Sequence, residues 1–228
     1  MTIPSEEVTM PERGRAQLGE PGVPEGAATP PRGLIIFLNG TSSSGKSSIA
    51  EALLHTLDEP CFHMPVDSFH AMRSRKELSP DDLRSVLHRT WRGFHRAVAG
   101  MADGGNTVVV DHVLSQPWRL RDCLGLFAPR DVVFVGVRCS LQEVERRERA
   151  RGDRPAGLAA AQMENVHAHG VYDIECDTTS TTPAECARQI KDFLPRRPAP
   201  TAFEQLRLIH QGRAGQGDET GAAGSPGR

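Results

Sequence analysis

The sequence lacks the features that mark membrane, secreted or nucleic-acid-binding proteins. It has no run of about 18 consecutive apolar residues, so we expect no transmembrane helix. Its amino terminus has neither the basic start nor the apolar stretch of a signal peptide, which favours a cytoplasmic protein. The formal net charge is only −2 and the basic residues are not gathered in one tail. We therefore expect no nucleic-acid partner.

Cysteine is also scarce and is not arranged for cross-linking. The chain has five cysteines, an odd number, and no two of them form a C-x-x-C pair. This pattern argues against a disulfide framework and against a structural zinc site. Most of the cysteines lie in or beside apolar runs, where they are expected to serve as small buried hydrophobic residues.

Composition divides the chain into a central domain and two tails. Residues 1–32 are rich in Pro, Gly and Glu without apolar periodicity, so we interpret them as a disordered N-terminal arm. Residues 195–228 begin with a proline-rich break and end in small polar residues, which predicts a mostly disordered C-terminal tail. Within that tail, residues 203–210 could form a short helix. The globular domain is expected to span 33–194.

Inside the central domain, short apolar runs alternate with helical patterns. The runs predict five strands, over residues 34–38, 61–66, 107–110, 132–137 and 172–176. Helices are predicted over residues 46–57, 81–101, 140–150 and 183–194. This alternation is typical of an α/β fold with a five-stranded parallel sheet flanked by helices, joined by right-handed crossovers. Ligands of such folds bind at the carboxyl ends of the strands.

The loop after the first predicted strand carries a phosphate-binding motif. Residues 40–47 read GTSSSGKS, which matches G-x-x-x-x-G-K-[ST] between a strand and a helix. Glycines let the backbone N–H groups approach phosphate oxygens, a lysine can reach the β- and γ-phosphates, and a hydroxyl can bind magnesium. The alternative is an ordinary Ser/Gly loop before a capped helix. The motif predicts binding of ATP and Mg²⁺ by Gly40, Thr41, Ser42, Ser43, Ser44, Gly45, Lys46, Ser47 and Ser48.

Acidic residues follow the second and third predicted strands, at the same edge of the sheet. Asp67 could accept the proton of a substrate hydroxyl, which would make it a catalytic base, or it could merely cap the next segment. Asp111 could hold magnesium or contact the substrate, the alternative being a loop ion pair. The neighbouring His112 is a candidate for substrate binding, with a solvated or core histidine as the alternative.

An arginine-rich segment comes after the fourth predicted strand. Arginines on a mobile segment can neutralise the charge that phosphoryl transfer spreads over the equatorial oxygens. Arg147, Arg151 and Arg154 are therefore predicted to act catalytically on a lid, together with Lys46. The alternative is a solvated helix laced with Glu–Arg pairs. We favour that alternative for Arg146 and Arg149.

Taken together, these motifs resemble the chloramphenicol 3-O-phosphotransferase family over residues 34–194. The resemblance implies a P-loop fold like that of nucleoside monophosphate kinases, and transfer of the γ-phosphate of ATP to a hydroxyl of a small molecule. It also implies that Asp67 is the catalytic base and that Thr178 and Thr179 lie near the adenine. The segments that carry it are 38–40, 42–43, 45–47, 66–68, Asp111 with Val113, 135–139, 147–148, 150–154, 156–157, 166–167, 172–173, Glu175, 177–179 and 185–187.

Three functions remain open from the sequence. The first is phosphorylation of chloramphenicol or a related antibiotic, which would confer antibiotic resistance. The second is phosphorylation of another metabolite or a nucleoside, because residues 68–103, which should wall the acceptor pocket, depart from the family pattern. The third is a nucleotide-binding regulator that has no acceptor.

Overall fold

The structure is a computed structural model that describes residues 31–151 and 157–218, with the backbone alone for 213–218. The predicted N-terminal arm therefore lies outside the described residues, apart from its last two positions. The described strands are β1 Ile35–Asn39, β2 Cys61–Pro65, β3 Thr107–His112, β4 Val132–Arg138 and β5 Ile174–Asp177. The helices are α1 Lys46–Thr56, α2 Val66–Ala71, α3 Pro80–Asp103, α4 Pro117–Leu126, α5 Leu141–Arg151, α6 Leu158–Val166, α7 Pro183–Phe193 and α8 Ala202–Asp218, with short 3₁₀ turns at Pro129–Asp131 and Leu194–Arg196.

All five described strands pair in parallel, in the order β2-β3-β1-β4-β5. β1 is the central strand, and each of its residues is buried. A strand that is covered on both faces needs apolar side chains on both, which is why β1 reads as an unbroken apolar run. The predicted α/β fold with a five-stranded parallel sheet is confirmed.

Alternate residues of the strands build a core on each face of the sheet. Ile35 and Phe37 of β1 face α3, α4 and α8, whereas Ile36 and Leu38 face α1 and α7. This alternation follows from the two-residue period of a strand. It places the helix that starts at the phosphate-binding motif on one face and the long helix α3 on the other.

The structure corrects the predicted C-terminal tail. Residues from 202 onward form α8, and its residues Phe203 and Leu206 are fully buried in the core beside Phe37. The short helix that the sequence allowed over 203–210 is therefore present and is longer than expected, so a mostly disordered tail does not describe this part of the chain. Only a few apolar side chains of α8 contact the core. The aromatic surface that they cover forms only when the sheet folds, so the sequence gives little sign of it.

Two boundaries also differ from the sequence prediction in ways that matter for the site. β3 extends through Asp111 and His112, so these are the last residues of the strand itself and their side chains point to opposite faces. The second strand ends at Pro65, and Asp67 lies in the first turn of α2, which was not predicted. Helices α4 and α6 were not predicted. Within the described ranges, no helix has the length and apolar character needed to cross a bilayer.

Candidate active site

A cavity of about 590 Å³ opens at the carboxyl edge of the sheet. Its walls come from the loop after β1 with the start of α1, from β2 and α2, from the end of β3, from α5 and from the loop after β5. The lining residues are Ser42, Ser43, Gly45, Lys46, Ser47, Ser48, Glu51, His63, Pro65, Val66, Asp67, Asp111, His112, Val113, Arg146, Arg147, Ala150, Arg151, Thr178, Thr181 and Pro183.

The loop between β1 and α1 has the backbone shape of an anion cradle. Ser43 and Gly45 both have left-handed backbone angles, with φ of 60° and 93°, and such turns direct successive N–H groups into a concavity. At position 40 a Cβ atom would lie only 2.5 Å from the Val137 carbonyl oxygen, so only glycine fits there. The start of α1 adds partial positive charge. The cradle fits a phosphate chain.

Buried polar atoms of this loop support the same conclusion. The hydroxyl oxygens of Ser42, Ser43 and Ser44 are buried and have no hydrogen-bond partner among the described residues. Buried polar groups normally have hydrogen-bond partners. Several hydroxyls without partners beside a cradle are expected where a polar ligand supplies the missing hydrogen bonds. The residues present therefore fit the phosphates of a nucleotide.

Lys46, Ser47 and Asp111 form a compact group at the floor of the cavity. The Ser47 hydroxyl donates to Asp111 Oδ2 at 2.6 Å, and Lys46 Nζ lies 3.8 Å from Asp111 Oδ1. The ammonium also donates to the Thr41 carbonyl at 2.7 Å. Hydroxyl and carboxylate oxygens suit Mg²⁺, which keeps several waters and nucleotide oxygens as its other ligands. The described residues contain no group of three or more His, Cys, Asp or Glu placed to hold a metal, so the nucleotide would supply much of the coordination.

Asp67 faces the same cavity from its other side. Its side chain is exposed at the start of α2, next to the cavity-lining residues Pro65 and Val66. The sheet order puts β2 beside β3, so the strand ends that carry Asp67 and Asp111 are neighbours. The structure thus brings the proposed base and the proposed magnesium ligand to one cavity.

The arginine-rich segment is helix α5, and its arginines differ in their surroundings. Arg147 donates to the Thr178 carbonyl at 2.7 Å and to Glu143 at 2.7 Å. Arg146 also binds Glu143, and the two guanidinium groups lower the pKa of Glu143 to about 2 through these hydrogen bonds. Arg151 lines the cavity. Arg154 lies outside the described residues.

The two threonines predicted near the adenine have separate positions. Thr178 lines the cavity, and its hydroxyl donates to the Ser44 carbonyl at 2.7 Å, which ties the loop after β5 to the phosphate cradle. Thr179 turns the other way: its hydroxyl accepts from the Ser140 N–H at 2.9 Å, at the start of α5. Only Thr178 is thus placed to face a nucleotide.

His112 lines the cavity and is almost completely buried. Its ring lies among Phe37, Phe94 and His95, with centroid distances of 6.2, 5.4 and 5.2 Å. Burial, together with neighbouring cationic groups, lowers the pKa of His112 well below its ordinary value.

Sequence reasoning missed a contact from α6. The Gln162 side chain accepts a hydrogen bond from the Ser42 N–H at 2.7 Å, so an amide oxygen contacts the phosphate cradle. The far end of α6 is fixed to β1, because Asn39 donates to the Val166 carbonyl at 2.8 Å. No local pattern marks Gln162, since its role depends on the placement of a helix that the sequence did not predict. Glu51 and His63 are further lining residues without a sequence signal.

Comparison with known proteins agrees with this geometry. A protein-family model described as chloramphenicol phosphotransferase-like matches residues 33–195. A Mycobacterium tuberculosis protein whose name assigns it provisionally as an O-phosphotransferase, found in two strains, is 32% identical over 201 residues. That alignment covers 78% of this chain and 89% of the relative.

Two solved kinases have the same fold. The APS kinase of M. tuberculosis, in complex with AMPPNP and APS, superposes with a TM-score of 0.56 at 22% identity, covering 73% of this chain and 99% of that one. A gluconokinase from Sinorhizobium meliloti gives a TM-score of 0.52 at 20% identity, covering 73% of this chain and 94% of that one. These likenesses establish the fold.

Proposed function

Because the chain belongs to the chloramphenicol phosphotransferase-like family and is a kinase-type O-phosphotransferase, we propose that it transfers the γ-phosphate of ATP to a hydroxyl of chloramphenicol or a related antibiotic. The observation that carries this proposal is that the phosphate cradle, the Ser47–Asp111 pair and Asp67 open on one cavity. We further propose that the reaction takes place in the cytoplasm, where ATP is available, and that it would give the cell antibiotic resistance.

The donor half of the site binds and orients the triphosphate. The N–H groups around Ser43 and Gly45 hold phosphate oxygens, and Lys46 places a positive charge beside the β- and γ-phosphates. Ser47 and Asp111 would hold Mg²⁺, which offsets phosphate charge as the transfer proceeds. To reach this arrangement, Lys46 Nζ shifts from the Thr41 carbonyl toward the phosphates.

The acceptor half begins at Asp67. Its carboxylate accepts the proton of the acceptor hydroxyl while the hydroxyl oxygen bonds to the γ-phosphorus and the bond from that phosphorus to the bridging oxygen breaks, releasing ADP. Arg151, which lines the cavity on α5, is proposed to offset charge on the transferring group. Arg147 holds the loop at Thr178 in place through its carbonyl. Arg154 stays a sequence-based prediction for the same arginine set.

The test is acceptor phosphorylation by the purified full chain with ATP, Mg²⁺ and chloramphenicol, followed by mass spectrometry of the product. We expect a product heavier by one phosphoryl group, and we expect Asp67→Asn to lower kcat by roughly 10²–10⁴ with little change in the KM for ATP. The matched control is Asp192→Asn, because Asp192 is exposed on α7 and does not line the cavity.

Three results would count against the proposal in different ways. An Asp67→Asn variant that keeps full activity would remove the base assignment. Phosphorylation of nucleosides or sugars but not of chloramphenicol, in a panel of hydroxyl compounds, would keep the kinase chemistry and reject the antibiotic acceptor. Hydrolysis of ATP without any phosphorylated product would support a nucleotide-binding regulator.

A further inference from the structure

Two buried histidines lie side by side, one in the wall of the cavity and the other behind it. His112 is 1% exposed and His95, on α3, is 0% exposed, with ring centroids 5.2 Å apart. The two rings are not hydrogen-bonded to each other. Both ring nitrogens of His112 and Nε2 of His95 are without a partner among the described residues. Leaving such groups buried and unmet is unfavourable, so a polar ligand or a water is expected to satisfy them.

Asp122 fixes which nitrogen of His95 carries a hydrogen. The Asp122 carboxylate, on α4, lies 2.6 Å from Nδ1 of His95, so Nδ1 donates to it. Burial lowers the pKa of His95, and in the uncharged ring Nε2 keeps its lone pair. Arg92 and Arg96 each approach the same carboxylate to 3.7 Å, which keeps it oriented on α4. His95 is therefore held as a hydrogen-bond acceptor behind His112.

The location of the pair relates it to the acceptor and not to the nucleotide. Asp111 and His112 are consecutive in β3, and Asp111 contacts Ser47 of α1 whereas His112 contacts Phe94 and His95 of α3. His112 also lines the cavity that contains Asp67. Its two ring nitrogens are both buried without a partner among the described residues, and Nε2 of His95 lies on the ring beside it. An uncharged imidazole offers one N–H and one lone pair.

Building on the function proposed above, we propose that His112, supported by His95 and Asp122, binds a second, non-reacting hydroxyl of the acceptor. A hydroxyl both donates and accepts hydrogen bonds through a single oxygen. It can therefore accept from an N–H of one histidine and donate to a ring nitrogen of the other. A carboxylate or a carbonyl could only accept, and would leave the lone pairs unmet. His112 makes the contact, while His95 and Asp122 are positioning residues. The acceptors are therefore neutral compounds with at least two hydroxyls.

The experiment compares chloramphenicol, which carries a second hydroxyl, with its analogue in which that hydroxyl is replaced by hydrogen. In the full chain with ATP and Mg²⁺ we expect the analogue to lose roughly tenfold to hundredfold in kcat/KM. His112→Phe should remove this difference between the two acceptors, and His112→Gln should restore part of it. The matched control is His63→Phe, because His63 lines the cavity from β2 and not from the end of β3. It should keep the full difference.

The positioning role has its own readout. Asp122→Asn should shrink the difference between the two acceptors and shift the ¹⁵N NMR signals of the His95 ring toward the other tautomer, while leaving the KM for ATP unchanged. A merely structural contact would lower activity on both acceptors equally and leave the tautomer signature in place. That result would overturn the positioning role.

Failure of this inference can be told apart from failure of the proposed function. Equal kcat/KM for the two acceptors in the wild-type chain would mean that the pair holds only a buried water, and would overturn this inference alone. If neither compound is phosphorylated, calorimetry with a non-hydrolysable ATP analogue present compares their binding. Tighter binding of the diol that is lost in His112→Phe supports the inference, and equal or absent binding overturns it.

Discussion

Replacing Phe203 by alanine tests whether α8 is part of the folded domain. The Phe203 ring is fully buried and meets the rings of Phe134 edge-on at 5.1 Å, of Phe127 stacked at 6.1 Å and of Phe37 at 6.4 Å. Removing a buried phenylalanine costs about 3–5 kcal/mol, since transfer free energy is lost and a cavity remains. Against a total stability of about 5–15 kcal/mol, this is a large share.

The measurement is urea unfolding followed by circular dichroism, with the free energy of unfolding compared at an unchanged m-value. The control is Leu208→Ala on the same helix, because Leu208 is 66% exposed and its loss should change stability by no more than about 0.5 kcal/mol. In a thermal scan we expect Phe203→Ala to lower the Tm by roughly 6–20 °C. Equal, small effects of the two substitutions would refute the assignment of α8 to the core.

Three further outcomes are expected. Thr178→Val removes a buried hydroxyl that donates to the Ser44 carbonyl of the cradle. The KM for ATP should therefore rise several-fold, and the free energy of unfolding should fall by about 1 kcal/mol. The control, Thr178→Ser, should behave like the wild type in ATP titrations. Gly45→Ala forces alanine into a left-handed backbone conformation, so it should lower the free energy of unfolding by about 1–2 kcal/mol and weaken ATP binding. The control is Gly100→Ala on α3, where the added methyl group meets open space. It should be neutral or stabilising in the same assays. Burial lowers the pKa values of His167 and His169 from 6.5 to about 4, so the unfolded chain binds more protons between these values and stability falls as the pH drops from 6.5 to 4. A double His→Gln variant at these two positions should lose less stability over that window, measured by urea midpoints at both ends, and an equal loss would argue against the assignment.

Much of the fold and the donor half of the site could be predicted because their determinants are local. The buried strands appear as short apolar runs, and the phosphate cradle is a contiguous loop whose glycines and lysine are tied to their positions by backbone geometry. Asp67 and Asp111 were found by the same reasoning, since the residues near the carboxyl ends of parallel strands meet at one edge.

The acceptor half could not be predicted to the same depth, since its contacts join distant parts of the chain. His95 meets Asp122 across two helices, and α4, which carries Asp122, was not predicted. In the donor half, Gln162 was missed for the same reason, since its contact with the Ser42 N–H spans 120 positions of sequence. Such residues carry no periodicity or motif, so only the packed structure reveals them.

The alternation of side chains at the end of β3 has a consequence for substrate choice. Asp111 and His112 are neighbours in sequence but face opposite sides of the sheet. In the scheme proposed above, the first serves the nucleotide and its metal, whereas the second contacts the molecule being modified. A substitution at position 111 would then impair the reaction with every acceptor, whereas one at position 112 would change which acceptor is preferred.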